Sequence, residues 1–88
     1  MKRITVEKVL EILNANIEGA EITGQMMEED LPGLGMDSIT FIRIIVALEE
    51  EFECEIPDSK LLVTEMDTAQ KMIDILQVLY EESLTHEE

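Results

Sequence analysis

The sequence is poor in the residues on which several common classes of protein depend. Its 88 residues include one cysteine, one histidine, no tryptophan and only 3% aromatic residues. The single cysteine, Cys54, excludes an internal disulfide and a cysteine-based zinc site, which fits a reducing compartment. Carboxylates surround it in the sequence and should raise the pKa of its thiol, so we expect a half-buried structural residue rather than a reactive one.

Positive charge is also scarce. The chain has 6 Lys and Arg against 21 Asp and Glu, a formal net charge of −15. Nucleic acid and anionic membranes are therefore poor partners, because phosphate binding requires basic side chains. The apolar runs are short and broken by charges, which predicts no signal peptide and no membrane span, so we expect a cytoplasmic protein. Partners with basic surface patches are the natural expectation.

The apolar content, by contrast, is sufficient for a folded domain. Apolar residues make up 45% of the chain, and its length fits one domain with one core of Ile, Leu, Val and Met. Helical periodicity without strand-like alternation predicts an all-α fold with three main helices and a long loop between the first two. We expect a monomer in which residues 1–80 form the domain and residues 81–88 form an acidic, frayed tail.

The first predicted helix begins after Thr5, a typical N-cap residue, and ends at Gly19. The loop that follows contains all four glycines and Pro32, so it cannot be one continuous helix. Its apolar residues predict that it packs across the core, with a short helical turn near Met26 to Asp30. The apolar stripe of the first helix consists of Val6, Val9, Leu10, Leu13 and Ile17.

The second helix is predicted from Ser38 to Glu51, with Asp37 as its N-cap. Its apolar residues cover an arc of roughly 220° around the helix axis, about twice the width that a helix needs to pack against one core. Two interpretations stay open for the outer part of that arc, and both can hold at once. Either the long loop covers it, or it is partly a docking surface. The outer part consists of Ile39, Ile42 and Val46.

The remainder of the chain predicts a bend at Pro57, a short helical turn near Ser59 to Val63, and a last helix. Asp67 and Gln70 have the spacing of a capping box at the start of that helix. The side chains predicted to face inward from it are Met72, Ile73, Leu76, Leu79 and Tyr80.

Ser38 lies directly after Asp37 at the mouth of the apolar second helix, and no catalytic partner accompanies it. The only histidine, His86, is in the acidic tail, and residues 36–40 do not form a nucleophile elbow. An EF-hand starting at Asp30 fails because Pro32 and Leu34 occupy ligand positions, so we predict no metal site. A serine in the first turn of a helix suits a covalently attached phosphate, as a phosphodiester or by phosphorylation.

Three segments together carry a family resemblance. The runs "LGMDSITF" and "ALEEEFECEIPD", followed by a capped last helix, resemble the acyl carrier protein family, including carrier domains of polyketide and nonribosomal peptide systems. The resemblance covers nearly the whole chain. It implies a four-helix bundle with three major helices and one short helix.

The resemblance also implies a function. In this family a phosphopantetheinyl transferase moves 4′-phosphopantetheine from coenzyme A onto the motif serine, here Ser38 after Asp37. The thiol of the arm then holds acyl, aminoacyl or polyketide groups as thioesters, and the carrier itself is not an enzyme. Loading and condensing enzymes with basic patches are the other implied partners. The implied partner contacts are Ile39, Thr40, Arg43, Val46, Glu49 and Glu50.

Two of these positions depart from the family pattern. Thr40 and Arg43 stand where carriers of fatty-acid synthesis commonly have acidic residues. Reversal of a rim charge changes encounter rate and partner choice, so we expect a carrier of a specialised pathway. The alternative is an acidic helical interaction module that has the carrier fold but no prosthetic group.

Overall fold

A computed structural model describes residues 1–58, 61 and 63–85 of the chain. Its α-helices are α1 (Val6–Asn16), α2 (Ser38–Phe52) and α3 (Ala69–Thr85), with 3-10 turns at Gly24–Met26, Pro32–Leu34 and Val63–Glu65. These described residues contain no strand, which confirms the all-α prediction. The short fourth helix, expected near Ser59 to Val63, falls largely outside them. None of the described helices is both long and apolar enough to cross a membrane.

Helix α1 begins where its cap was predicted. The Thr5 side chain accepts a hydrogen bond from the Lys8 backbone N–H at 3.4 Å, which satisfies one of the unpaired donors of the first turn. The helix ends at Asn16, before the turn at Gly19, whose φ of 79° is left-handed. Val9, Leu13 and Ile17 of the predicted apolar stripe are buried, whereas Val6 at its start is exposed.

The long loop of residues 17–37 packs into the core, as predicted. Ile22, Leu31 and Met36 are all buried. The Asn14 side chain forms two hydrogen bonds with the backbone of Ile22, one from its Nδ2 to the carbonyl (2.9 Å) and one to its Oδ1 from the N–H (2.7 Å). Because these two bonds mimic a pair of backbone bonds, they attach the loop to α1.

The second half of this loop is attached to the beginning of α3. The Leu31 N–H donates to the Asp67 carbonyl (2.8 Å), and the Gln70 N–H donates to the Met27 carbonyl (2.9 Å). The predicted turn near Met26 to Asp30 forms earlier, at Gly24–Met26, because the Thr23 side chain accepts from the Gln25 N–H and caps it there. The loop is therefore attached both to α1 and to the start of α3, and it does not cover the outer part of α2.

Helix α2 has the predicted cap and ends one residue later than predicted. Asp37 caps its N-terminus, and Glu53, with a left-handed φ of 55°, ends it by donating its N–H to the Glu49 carbonyl. The beginning of the chain contacts this end of α2. The Lys2 N–H donates to the Phe52 carbonyl (2.8 Å), and the Lys2 ammonium pairs with Glu53 (3.5 Å).

The start of α3 differs from the prediction. Thr68, not Asp67, caps the helix, since its hydroxyl accepts from the Lys71 N–H at 3.1 Å. Asp67 instead pairs with the Lys71 ammonium (2.9 Å), and the Gln70 side chain donates forward to Asp74 (2.9 Å). The predicted capping box was therefore wrong.

The end of α3 also lies later than expected. The helix continues to Thr85 and so includes residues 81–85, which the sequence assigned to a frayed tail. Residues 86–88 lie outside the described part of the chain. Of the side chains predicted to face inward from α3, Met72 and Leu76 are fully buried, while Ile73, Leu79 and Tyr80 are half-buried at its margin.

The helices and the loop share one hydrophobic core. It is built almost entirely from aliphatic residues and methionine, with only two aromatic side chains, and it contains no charged or polar residue among those described. Its members are Val9, Leu13, Ile17, Ile22, Leu31, Met36, Phe41, Ile44, Ile45, Leu48, Phe52, Ile56, Met66, Ala69, Met72 and Leu76.

Candidate functional site

Ser38 is the first residue of α2 and is exposed to solvent. Its hydroxyl makes no hydrogen bond to any residue that the structure describes. Asp37 precedes it, and one oxygen of the Asp37 carboxylate accepts from the Thr40 N–H at 2.8 Å. Hydrogen bonds from Thr40 lower the pKa of Asp37, with smaller contributions from the Ile39 N–H and the Arg43 charge. Asp37 is therefore an ionised cap that leaves the serine free.

The chain reaches Ser38 through a tightly defined turn. Gly35 has a φ of 115°, a left-handed conformation that favours glycine, and its N–H donates to the Pro32 carbonyl (3.1 Å). Met36 then buries its side chain, and its N–H donates to the Leu31 carbonyl (3.1 Å). Because Met36 is fixed in the core, the two residues after it are held at the surface in one orientation.

The Asp37 cap alters one expectation about an attached phosphate. The start of an α-helix has unpaired backbone N–H groups that can bind an attached phosphate. In α2 the Thr40 N–H is already bonded to Asp37, and the Ile39 N–H faces the same carboxylate. The Thr40 N–H is therefore not free to bind a phosphate on Ser38. The positive end of the α2 dipole remains as a favourable contribution.

An apolar groove begins at Ser38 and follows α2. Its volume is about 370 Å³, and most of its lining is hydrocarbon. Because the groove starts at the serine, a group linked to Ser38 would have apolar surface directly beside it. The lining residues are Ser38, Phe41, Ile42, Ile45, Val46, Glu49 and Leu61.

The structure places four of the predicted partner contacts on one face of α2. Ile39, Arg43, Val46 and Glu50 follow one another at intervals of four, three and four residues, which is the spacing of one helical face, and all four are exposed. Thr40 is half-buried beside them. The structure therefore brings these side chains together on the surface, while their role as partner contacts stays a prediction.

Glu49 differs from the other predicted contacts. It is half-buried, and its Oε2 accepts a hydrogen bond from the Ile56 N–H at 2.8 Å. This bond attaches the segment after α2 back onto the helix. Glu49 therefore has an internal structural role that its position in a run of acidic residues did not indicate.

Two groove residues that are not buried in the core were missing from the contacts that the resemblance implied. Ile42 is 61% exposed and lies between Ser38 and Val46 on the wall of the groove. The sequence signal for Ile42 was the wide apolar arc of α2, because Ile42 belongs to the outer part of that arc. Leu61 completes the opposite wall, and it is half-buried. It follows a proline bend in a segment without clear periodicity, so no sequence signal identified it.

Cys54 is not part of this site, and His86 lies outside the described part of the chain. Cys54 is half-buried, and its burial, followed by the Glu49 charge, raises the pKa of its thiol. Among the described residues, no group of three or more His, Cys, Asp or Glu side chains is placed to hold a metal ion.

The comparisons with known proteins identify the family. A family model described as the phosphopantetheine attachment site matches residues 6–76 of the chain. This match covers more than half of the sequence, from the start of α1 into α3. The chain belongs to this family.

Domains of this family are the site at which 4′-phosphopantetheine is covalently attached. Carrier proteins of the family interact with phosphopantetheinyl transferases and with biosynthetic enzymes, and their carrier domains are generally not catalytic. No solved structure gives a significant match to the chain. The family assignment thus rests on the sequence match, and the all-helical fold is compatible with it.

Proposed function

We propose that Ser38 is the residue that carries 4′-phosphopantetheine and that the chain holds acyl or aminoacyl groups for other enzymes. The observation that supports this most directly is the exposed serine at the start of α2, beside an apolar groove and inside the matched region. When attached, the group supplies a thiol that forms thioesters. The residues of the chain itself display the serine and position it.

Of the two serines that the structure describes, Ser38 fits this role better than Ser83. The hydroxyl of Ser83 donates to the Tyr80 carbonyl at 2.6 Å, and Ser83 lies outside the matched residues. Ser38 combines an exposed position, a capped helix start and the family match. Ser59 is inside the match but lies outside the described part of the chain, so it is compared with Ser38 by experiment.

The surroundings of Ser38 support a carrier rather than an enzyme. Its neighbour Asp37 is held as a cap with a lowered pKa, so it is a poor acceptor for the serine proton near neutral pH. Arg43, the nearest cation on the same helix, cannot act as a base. In this proposal the transferase provides the base, and Ser38 provides only an accessible oxygen.

We also propose that the pathway is a specialised one rather than general fatty-acid synthesis. The support for this is the neutral Thr40 and the cationic Arg43 on the outer side of α2, at positions where fatty-acid carriers commonly have acids. A positive charge such as that of Arg43 costs binding energy when it is placed opposite a basic patch of a partner. We expect enzymes of general fatty-acid synthesis to load this carrier poorly, which a comparative acyl-transfer assay on the phosphopantetheinylated protein would measure.

The experiment that tests the attachment site is intact-protein mass spectrometry after incubation with coenzyme A and a promiscuous phosphopantetheinyl transferase. The wild type and Ser59→Ala should each gain the mass of one phosphopantetheine group, whereas Ser38→Ala should gain none. Because both variants remove one serine hydroxyl inside the matched region, the pair assigns the site. If Ser38→Ala were modified and Ser59→Ala were not, Ser38 would be rejected as the attachment site.

The alternative function is an acidic interaction module without a prosthetic group. The exposed apolar and acidic face of α2 would serve such a module equally well, but Ser38 would not be needed. If several transferases fail to modify the folded wild-type protein, this alternative replaces the carrier. Binding of a partner should then be the same for the wild type and Ser38→Ala.

A further inference from the structure

Arg43 is an exposed cation without an internal partner in a strongly acidic chain. Lys2, Lys8 and Lys71 each pair with a carboxylate. Within the described residues, Arg43 forms neither an ion pair nor a side-chain hydrogen bond. Apart from its minor contribution to the lowered pKa of Asp37, the charge on Arg43 is not explained by any interaction with a described residue.

The surroundings of Arg43 are apolar and exposed. Ile39 lies one turn before it and is 65% exposed, and Val46 lies one turn after it and is 46% exposed. Ile42 is adjacent in sequence and also exposed. A cation in the middle of an exposed apolar patch is placed to affect which protein surface can cover that patch.

A transferase that reaches Ser38 from the exposed side of α2 covers this patch. Arg43 is five residues after Ser38, which corresponds to about 7.5 Å along the helix axis and about 140° around it. The exposed Ile42 lies between them around the helix. A protein interface of ordinary size buries about 800 Å² per partner, equivalent to a disc of about 16 Å radius. An enzyme that approaches from this side therefore places Arg43 inside its contact area.

We propose that Arg43 selects its phosphopantetheinyl transferase by charge, favouring one with an acidic side chain opposite Arg43 and disfavouring one with a uniformly basic docking patch. This inference rests on the proposed function, because it assumes that Ser38 is modified. Covering Arg43 with a basic surface adds repulsion and desolvates an unpaired charge, whereas a carboxylate opposite it forms a charge-assisted, bidentate pair.

The acids farther along α2 give the surface an alternating charge. Glu50 lies on the same face as Arg43, two turns later, and is exposed. A matching transferase surface therefore combines one acidic position near the serine with basic positions about 10 Å farther along the helix axis. This order of charges distinguishes the proposed partner from an enzyme that attracts acidic proteins only through net charge.

The test uses the full-length protein, its Arg43→Glu variant and Arg3→Glu as a matched control. Arg3 is also exposed and makes no ion pair with a described residue, and it follows Lys2, whose backbone contacts the far end of α2. Both variants change the net charge equally, so they separate a local from a global effect. Each is assayed for kcat/KM of phosphopantetheinylation by a promiscuous transferase whose docking patch is basic, after equal Tm values confirm folding.

Arg43→Glu should raise kcat/KM by about tenfold or more, while Arg3→Glu should change it by less than about threefold. A set of transferase variants, each with one patch Lys or Arg replaced by Glu, should include one that prefers the wild type over Arg43→Glu. Equal effects of the two carrier variants, or no such inversion, would overturn the inference. Failure of all carriers to be modified at saturating transferase would instead reject the proposed function, and this inference with it.

Discussion

Both sides of α2 carry large apolar residues, but these residues have opposite environments. The inward side consists of Phe41, Ile44, Ile45, Leu48 and Phe52, none of them more than 5% exposed. The outward side carries Ile39, Ile42 and Val46, and each keeps about half or more of its surface in water. Hydrophobicity alone therefore does not separate core residues from surface residues in this helix.

The difference arises from where the long loop packs. The loop buries Ile22, Leu31 and Met36 in the core and is attached to α1 and α3. Its other large apolar residues also pack against the core, so none of them covers the outward side. Because Ile39, Ile42 and Val46 stay exposed, their side chains contribute little to the free energy of folding. The comparison indicates that the inward side supports stability and that the outward side is available for binding.

The largest expected effect is on stability. It is tested with two isoleucines of α2, one on the inward side and one on the outward side. Ile44→Ala should lower the free energy of unfolding by about 2–5 kcal/mol, because it leaves a cavity in the core. Ile42→Ala should change it by no more than about 0.5 kcal/mol. Urea denaturation followed by circular dichroism would measure both. Similar losses for the two variants would mean that the outward side is buried in solution, which would contradict the comparison.

The next prediction concerns the attachment of the loop to α1. Asn14→Ala removes both hydrogen bonds to Ile22 and should cost about 1–2 kcal/mol of unfolding free energy. The matched control is Asn16→Ala, which removes one bond to the Ile12 carbonyl within α1 and should cost less. Denaturation curves would rank the two variants. If Asn16→Ala proved the more destabilising, the loop would not be held through Asn14.

Recognition by the transferase should depend on the outward side of α2, whereas stability depends on the inward side. Ile42→Ala should lower kcat/KM for phosphopantetheinylation by about tenfold, since the transferase loses one apolar contact of about 1.4 kcal/mol. Val78→Ala, which trims an exposed valine on α3, should leave kcat/KM unchanged. Both variants should keep the wild-type Tm. Equal kcat/KM for Ile42→Ala and the wild type would remove the outward side of α2 from the interface.

The smallest effect should come from Asp37, which caps the N-terminus of α2. The folded state lowers the pKa of Asp37, so its stabilisation is complete above the unfolded value of about 4 and is lost as the pH falls through the lower folded value. Asp37→Asn keeps a capping oxygen without the charge. The Tm difference between the wild type and this variant should therefore shrink as the pH is lowered from 7 towards 3, and a constant difference would contradict this assignment.

Local signals in the sequence predicted α2 and the position of Ser38 correctly. Asp37 and Ser38 can both cap a helix, and the choice of Asp37, directly before the long apolar run, was right. At α3 the same reasoning failed, because Asp67 and Thr68 are adjacent and either can cap. The choice was decided by Lys71, which pairs with Asp67 and donates its N–H to Thr68. That arrangement depends on side-chain geometry that no spacing rule contains.

The site shows the same limit. Helical spacing was sufficient to group Ile39, Ile42 and Val46 on the outer side of α2, since neighbours on a helix follow from its period. The bond between Glu49 and the Ile56 N–H depends on how the chain turns after α2, and the contribution of Leu61 to the groove depends on a segment that approaches from elsewhere. Such long-range contacts are fixed by tertiary packing, which one sequence does not display.

The bond between the Lys2 N–H and the Phe52 carbonyl has a practical consequence for labelling. Phe52 is the last residue of α2 and Ser38 the first, so about 21 Å of helix separates them. A dye or a surface linkage at the amino group of Met1 would be held near the end of α2 opposite the serine. Immobilisation through that amino group should therefore leave the first turns of α2 open to an approaching enzyme.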